Sequence, residues 1–163
     1  MHPLECNNFL TNKKSGKNVI LQRVFGSYDY QGQNYDFYLM VKTKKTNPSA
    51  YLSEIIIHGM QEKKGNDIVR LDLRNIHSSV SDYFVVCHAE STTQVRALAQ
   101  SVEEEVYKAL NQEPWHKEGL EHAEWILLDF VDVVVHVFKT DKRHFYGIED
   151  LWGDAEIAYY QSA

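Results

Sequence analysis

Residues 124–138 constrain the fold more than any other part of the sequence. They read EWILLDFVDVVVHVF, a largely apolar run without glycine or proline, and such residues are typical of a buried, pleated surface. Because strands usually have ~5–6 residues, we predict two strands, residues 124–129 and 132–138, which meet at Phe130 and Val131. These two are poor residues for a tight turn, so a wider turn or a bulge is expected. A buried helix is the alternative, which the β-branched residues disfavour.

Helices and strands alternate through residues 47–153. Asn47 is positioned to cap a helix that begins at Pro48, and Ser91 with Gln94 forms the capping box of a longer helix. The other predicted elements are strands over residues 67–73 and 82–88, a loop over 111–119 and a last helix over 141–151. The resulting order, α-β-β-α-β-β-α, indicates an α/β fold with a mixed sheet and packed helices.

The two ends of the chain differ from this domain. Residues 1–46 are rich in Asn, Gln, Tyr and Lys, and apart from a short strand over residues 19–24 they show no sustained hydrophobic period, so we predict a flexible or non-native arm that is dispensable for stability and binding. A mitochondrial transit peptide is a third interpretation, which the single arginine and the three acidic residues of the arm disfavour. Met40 opens a segment that would serve as an ordinary start. Residues 154–163 are predicted to be a polar and aromatic tail. The sequence shows no signal-peptide pattern, and no apolar run reaches the ~18–20 residues of a membrane-spanning helix.

Charge is distributed unevenly along the chain. Residues 1–66 carry 9 Lys/Arg against 5 Asp/Glu, residues 67–99 carry 3 against 4, and residues 100–163 carry 5 against 14, which together give the net charge of −6. An acidic C-terminal half repels phosphate groups and disfavours direct nucleic-acid binding there. It suits a basic protein partner, although a solvated acidic surface is the ordinary alternative.

No metal or cofactor site is predicted. Cys6 and Cys87 are far apart and form no motif. Residues 88–90 read His-Ala-Glu, as in the His-x-Glu motif of zinc deaminases, but those enzymes need a later Pro-Cys-x-x-Cys, and no cysteine follows Cys87.

Three side chains in residues 124–138 are candidates for catalysis: Asp129, Asp132 and His136. Asp129 and Asp132 could form a pair of catalytic carboxylates if a turn brings them together, but Asp beside a turn is ordinary. His136 stands alone on an apolar strand. Such a histidine is more often a hydrogen-bonded core or interface residue than a catalyst, because buried polar groups normally find partners.

Six blocks of the sequence together resemble the ribosomal silencing factor (Iojap) family, across residues 49–153. They are DYFVV at 82–86, STTQVRA at 91–97, EG at 118–119, WILLD at 125–129, DVVVHVF at 132–138 and FYxxExLW at 145–152. The chain departs from the family at Val131, where Gly is usual, and at His88-Ala89, where Ser-Gly is common. The arm has no counterpart in typical bacterial members.

The resemblance implies a nucleotidyltransferase-like fold with no catalytic activity and no cofactor. It implies binding to a basic protein of the L14 family on the large ribosomal subunit, at the face where the subunits join. A factor bound there blocks subunit joining and represses translation when nutrients are scarce. The implied location is the bacterial cytoplasm, and the mitochondrial branch of the family is the less favoured alternative. A nucleotide-acting enzyme of the same fold is the alternative function.

The matched blocks, together with their aromatic and acidic character, predict a partner-binding surface. Its predicted residues are Trp125, Leu127, Asp129, Phe130, Asp132, Arg143, Tyr146, Glu149 and Trp152. For the two tryptophans a core position is an equally good interpretation. Because so much apolar surface is rarely left bare, the free protein is expected to self-associate through the same region, for instance as a homodimer.

Overall fold

The computed structural model describes residues 21–22 and 47–162. The predicted strand over residues 19–24 is found at Leu21–Gln22; the rest of the predicted arm lies outside the described residues. In chain order the elements are β1 (Leu21–Gln22), α1 (Pro48–Glu62), β2 (Asn66–Asp72), β3 (Tyr83–Ala89), α2 (Thr92–Leu110), β4 (His116–Glu118), β5 (Trp125–Asp129), β6 (Val133–Lys139), α3 (Thr140–Tyr146), α4 (Ile148–Leu151) and β7 (Glu156–Tyr160).

The seven described strands form one mixed sheet in the order β1-β7-β2-β3-β6-β5-β4. β3 and β6 pair in parallel at its centre, β1 pairs in parallel with β7, and the other neighbours are antiparallel. Most residues of β3 and β6 are buried, as expected for strands covered on both faces. The mixed α/β fold is therefore confirmed.

β5 and β6 confirm the prediction of two strands within residues 124–138. They form an antiparallel hairpin in which Leu127 lies opposite His136. Val131, in the turn, has a φ of 73°, and its N–H donates to Asp129 Oδ1 at 2.7 Å. The Phe130 N–H donates to the carbonyl of Val133 at 2.9 Å. The turn thus spans three residues, 130–132. Neither Phe130 nor Val131 suits the central positions of a two-residue turn.

Two apolar clusters lie on opposite faces of the sheet, as the alternation of side chains along each strand requires. α1 and α2 cover one face and share a cluster with Val85 and Val137. The other face carries Val86 and Phe138, the sequence neighbours of those two valines. α3 and α4, with 7 and 4 residues, lie over this second face. These short helices cover it only in part.

Three predictions of element order are wrong. β4 pairs with β5 inside the predicted loop; all three of its residues are exposed, so no apolar alternation marks it. β7 pairs with β2 inside the predicted tail, and the domain therefore extends through it. The predicted helix over residues 141–151 is two helices, because Gly147 has a φ of 50° and ends the first.

The predicted helix starts are confirmed at both long helices. The Asn47 side chain caps α1, and Ser91 Oγ accepts from the Gln94 N–H at 3.2 Å. The capping box is not closed, however. Gln94 Nε2 instead donates to the carbonyls of Lys63 and Lys64, each at 3.4 Å. This side chain therefore ties the start of α2 to the end of α1.

Candidate functional site

The sheet face opposite α1 and α2 carries a strip of partly exposed apolar side chains. The register places Phe84, Val134 and Asp129 in one row across β3, β6 and β5, and it places His136 and Leu127 side by side in the next row. Residues paired in this way project from the same face. Phe84, Val134 and Leu127 are each half-buried, so the strip reaches the surface.

Aromatic rings from three elements border this strip. Trp125 stacks on Phe138 with ring centroids 5.0 Å apart and lies 4.8 Å from the Tyr146 ring. Trp152 meets Phe84 edge to face at 5.4 Å. Both tryptophans are half-buried, and Tyr146 is 44% exposed. Here "aromatic surface" means the half-buried or exposed members of the strip and its border: Phe84, Trp125, Leu127, Val134, Tyr146 and Trp152.

His136 is buried among these rings. Its Nδ1 accepts a hydrogen bond from Trp125 Nε1–H at 3.2 Å, so the ring proton resides on Nε2. Within residues 47–162, Nε2 is a buried atom that has no hydrogen-bond partner. Burial lowers the pKa of His136 to about 4, which keeps the ring neutral at pH 7. His136 is thus a hydrogen-bonded core residue, as predicted, and it orients Trp125.

Asp129 and Asp132 flank the hairpin turn, but they do not act as a pair. Asp129 is half-buried and accepts the Val131 N–H. Asp132 is exposed, and its carbonyl accepts from the N–H groups of Asp82 and Tyr83 at 2.8 and 3.1 Å. No hydrogen bond joins the two carboxylates in the described part of the chain. Their visible roles are to close the turn and to place negative charge at its surface.

Two of the nine predicted surface residues are buried, contrary to the expected exposure. Phe130 is 2% exposed and belongs to the core under α1 and α2. Arg143 is 8% exposed, and its Nε and Nη2 donate to Glu149 Oε1 at 2.8 and 2.5 Å. Arg143 Nη1 donates to the carbonyl of Asp67 at 2.7 Å and meets His88 Nδ1 at 2.9 Å. This network anchors α3 and α4 to the ends of β2 and β3.

A cavity of about 380 Å³ opens beside α3 and α4. Its lining includes the polar side chains of Asp67, His88, Arg143, His144, Glu149, Asp150 and Tyr159; we call it the acidic cavity. It brings three carboxylates around one guanidinium, and Glu149 already pairs with that guanidinium. Burial, together with the charge of Arg143, lowers the pKa of His88, so this histidine is also neutral at pH 7.

Of the residues that line the acidic cavity, the sequence motifs identify Arg143 and Glu149 but not the others. Asp67 and Tyr159 are far apart in the chain and meet only because β2 pairs with β7, and β7 was itself missed. A long-range pairing of this kind leaves no local pattern. No group of three or more His, Cys, Asp or Glu in the described residues could hold a metal ion, and no helix there is long and apolar enough to cross a membrane.

Comparison with known proteins gives a consistent set of relatives. A family model described as "Ribosomal silencing factor during starvation" matches residues 46–162. The Bacillus subtilis ribosomal silencing factor RsfS is 43% identical over 97 residues, which are 60% of this chain and 80% of that protein. The Halalkalibacterium halodurans RsfS is 39% identical and covers 64% and 87% of the two chains. The chloroplastic protein Iojap of Zea mays is 32% identical over 45% of this chain and 31% of its own.

Two solved structures share the fold. A crystal structure of a Chromobacterium violaceum protein superposes with a TM-score of 0.62 at 36% identity, and the match covers 66% of this chain and 88% of that one. A crystal structure from Bacillus halodurans gives a TM-score of 0.57, also at 36% identity, over 63% and 94%. Both matches cover most of the other chain and support the mixed α/β fold.

Proposed function

We propose that this chain, which belongs to the ribosomal silencing factor family, binds an L14-family protein on the large ribosomal subunit and blocks subunit joining. Family membership establishes the coarser function, a ribosome-associated regulator of translation. The proposed mechanism is steric: a factor that occupies the joining face excludes the small subunit. It needs neither turnover nor a cofactor. The "starvation" in the family's description supports repression under nutrient stress.

The aromatic surface is the observation that carries this proposal. Tryptophan and tyrosine are enriched among the residues that dominate binding energy at protein interfaces, and here Trp125, Tyr146 and Trp152 lie around one partly exposed apolar strip. Asp129 and Asp132 supply negative charge beside the strip. Electrostatic complementarity would steer a basic partner toward such a surface. Within the predicted site, Leu127 is also half-buried and reaches the surface, whereas Glu149 pairs with the buried Arg143 and Phe130 lies in the core.

The alternative, a nucleotide-acting enzyme with the nucleotidyltransferase-like fold, is less well supported. The three carboxylates that line the acidic cavity would repel the phosphates of a nucleotide. Fold likeness alone cannot assign an activity. The two functions are separated by adding nucleoside triphosphates with magnesium. We expect no thermal stabilisation from them, whereas purified large subunits should co-sediment with the protein.

Two further features belong to the same proposal. The free protein would self-associate through the aromatic surface, because a second copy of the chain would cover the same apolar side chains as the ribosomal partner. Its location would be the bacterial cytoplasm, as expected for a ribosome-binding factor whose matched relatives include several bacterial proteins.

The test compares two tyrosines of similar exposure on different elements. Tyr146 belongs to the aromatic surface and is 44% exposed, whereas Tyr107 lies on α2 and is 52% exposed. We expect Tyr146→Ala to weaken binding to purified large subunits by about tenfold or more and Tyr107→Ala to leave it unchanged. Equal affinities for the two variants, or no co-sedimentation of the unmodified protein, would contradict the proposal.

A further inference from the structure

We propose that the acidic cavity receives an arginine side chain of the protein partner. This inference rests on the proposed function and deepens it, because it names the chemistry of that partner at a second point on the surface.

The acidic cavity opens on the same face of the sheet as the aromatic surface. Val69 and Tyr159, which line it, are paired across β2 and β7, and Val69 is paired with Val86 on β3. Val86 in turn lies beside His136, whose neighbour on β5 is Leu127 of the aromatic surface. One row of side chains thus joins the two features, so a single partner could contact both.

The charge of the acidic cavity selects a cation. Glu149 is committed to Arg143. The carboxylates of Asp67 and Asp150 form no ion pair or hydrogen bond with any residue that the structure describes, although both line the cavity. Two unpaired carboxylates beside an already neutralised pair attract a positive group and repel phosphate.

His88 adds a hydrogen-bond donor to the lining of the cavity, and this donor distinguishes a polypeptide from a simple cation. The side chain is 7% exposed and lines the cavity. Arginine can only donate hydrogen bonds, so His88 Nδ1, 2.9 Å from Arg143 Nη1, must be the acceptor and Nε2 must carry the proton. No residue within the described part of the chain accepts from that N–H. A basic residue within a polypeptide offers both a cationic group and a nearby carbonyl acceptor, whereas a metal ion offers no acceptor.

Tyr159 favours arginine over lysine. Its ring lines the cavity and is 42% exposed. A guanidinium is planar, stacks on aromatic rings and donates several hydrogen bonds in a fixed fork, whereas an ammonium is a compact and strongly hydrated point charge. Asp67 and Asp150 can each accept from such a fork. The cavity volume lies at the lower end of the range for small-ligand sites, which suits one side chain.

The first experiment measures the ligand chemistry without the ribosome. N-acetyl-arginine methylamide, the corresponding lysine and norleucine amides, and inorganic phosphate are each titrated into the full chain and followed by NMR. We expect saturable shifts at His88 and Tyr159 with the arginine amide, weaker ones with lysine, and none with norleucine or phosphate. The Asp67→Asn/Asp150→Asn variant should lose the response, and Glu113→Gln/Glu121→Gln, which neutralises two exposed carboxylates elsewhere, should keep it.

The second experiment measures affinity for purified large subunits at two salt concentrations. We expect Asp67→Asn/Asp150→Asn to bind at least tenfold more weakly, with a smaller salt dependence, and Glu113→Gln/Glu121→Gln to bind like the unmodified protein. Arginine-induced shifts without any subunit binding would support the cavity ligand and overturn the proposed function. Subunit binding that both double variants retain equally, with no arginine-specific shifts, would overturn the cavity proposal alone. Equal responses to arginine and norleucine, or a response to phosphate, would also overturn it.

Discussion

Val131 occupies a backbone conformation that β-branched residues rarely adopt. Its φ is 73°, and its side chain is 59% exposed. The left-handed region costs an ordinary L-residue about 1–2 kcal/mol, while glycine adopts it freely and loses part of that advantage through its more flexible unfolded state. We therefore expect Val131→Gly to stabilise the protein by about 1 kcal/mol, measured by denaturant unfolding.

Val80 is the matched control for this change. It is 99% exposed and its φ is not positive, so Val80→Gly should only increase the entropy of the unfolded chain and lower stability slightly. Similar losses at both positions would mean that the turn stores no strain at Val131. The resemblance to a family that usually has glycine here marked this residue in advance. The size of the strain follows only from the backbone geometry.

His136 should make stability depend on pH in the acidic range. Its pKa is about 4 in the folded protein and about 6.5 in an unfolded chain, so the unfolded state binds the proton more tightly. The stabilising contribution is therefore complete above pH ~6.5, is lost as pH falls toward 4, and totals about 3 kcal/mol. Asparagine can retain an acceptor for Trp125, so His136→Asn is the informative variant. Unfolding free energies measured from pH 7 to pH 4 should fall more steeply for the unmodified protein; parallel curves would argue against a buried neutral histidine.

The elements that the sequence predicts best are those for which burial alone selects the structure. β6 is rich in valine and mostly buried on both faces, and β5 is an apolar run in which alternate residues are buried, so both can be recognised without their neighbours. β4 has three exposed residues and β7 has a single buried one, so burial does not mark either as a strand, and each pairs with the edge that β5 or β2 offers. The break at Gly147 depends on one left-handed residue, which composition does not distinguish from a glycine inside a helix.

The turn that precedes β5 depends on Gly119. A Cβ at this position would lie 1.8 Å from the carbonyl oxygen of Trp125, and φ is +78°, so no side chain fits without moving the start of β5. We expect Gly119→Ala to destabilise the protein by about 2 kcal/mol or more. At Gly153 an added Cβ would meet its nearest neighbour at 3.4 Å, so Gly153→Ala should be tolerated. Thermal unfolding of both variants measures the difference, and an unchanged midpoint for Gly119→Ala would refute the close approach.

Arg143 holds the two short helices to the sheet. Removing its guanidinium would leave Glu149, His88 Nδ1 and the Asp67 carbonyl without a donor. We expect Arg143→Met to lower the free energy of unfolding by about 2–4 kcal/mol. This loss is slightly smaller than for a fully buried ion pair, because Glu149 keeps some contact with water. Arg143→Met/Glu149→Leu should recover part of this loss, because no buried charge is then left alone.

Lys142 provides the comparison on the same helix. It pairs with Glu124 at 3.2 Å on the surface, and exposed pairs contribute little, so Lys142→Met should hardly change the unfolding midpoint in denaturant. Equal effects of the two methionine substitutions would show that the Arg143 network does not anchor α3 and α4.

The two faces of the sheet are covered unequally. α1 and α2 close one face completely enough to bury a large apolar core, whereas the short α3 and α4 leave the aromatic surface and the acidic cavity accessible on the other. The sequence showed that the C-terminal half is acidic. It could not show that Asp67, from the less acidic part of the chain, joins Asp150 at one cavity, since the pairing of distant strands sets that arrangement.

A silencing factor that acts by occupying a joining face should inhibit stoichiometrically. In a joining assay with purified subunits, half-maximal inhibition should track the large-subunit concentration whenever that concentration exceeds the dissociation constant.

Asp129→Lys and Asp132→Lys test where the interface lies. An affinity loss of about 30-fold or more, with the fold intact by circular dichroism, would place that carboxylate in the interface core. A loss of only a few-fold that disappears in high salt would place it on the rim. Asp129 is half-buried and Asp132 exposed, so we expect the larger effect at Asp129. Inhibition at protein concentrations far below that of the subunits would require turnover, and the steric mechanism would then have to be abandoned.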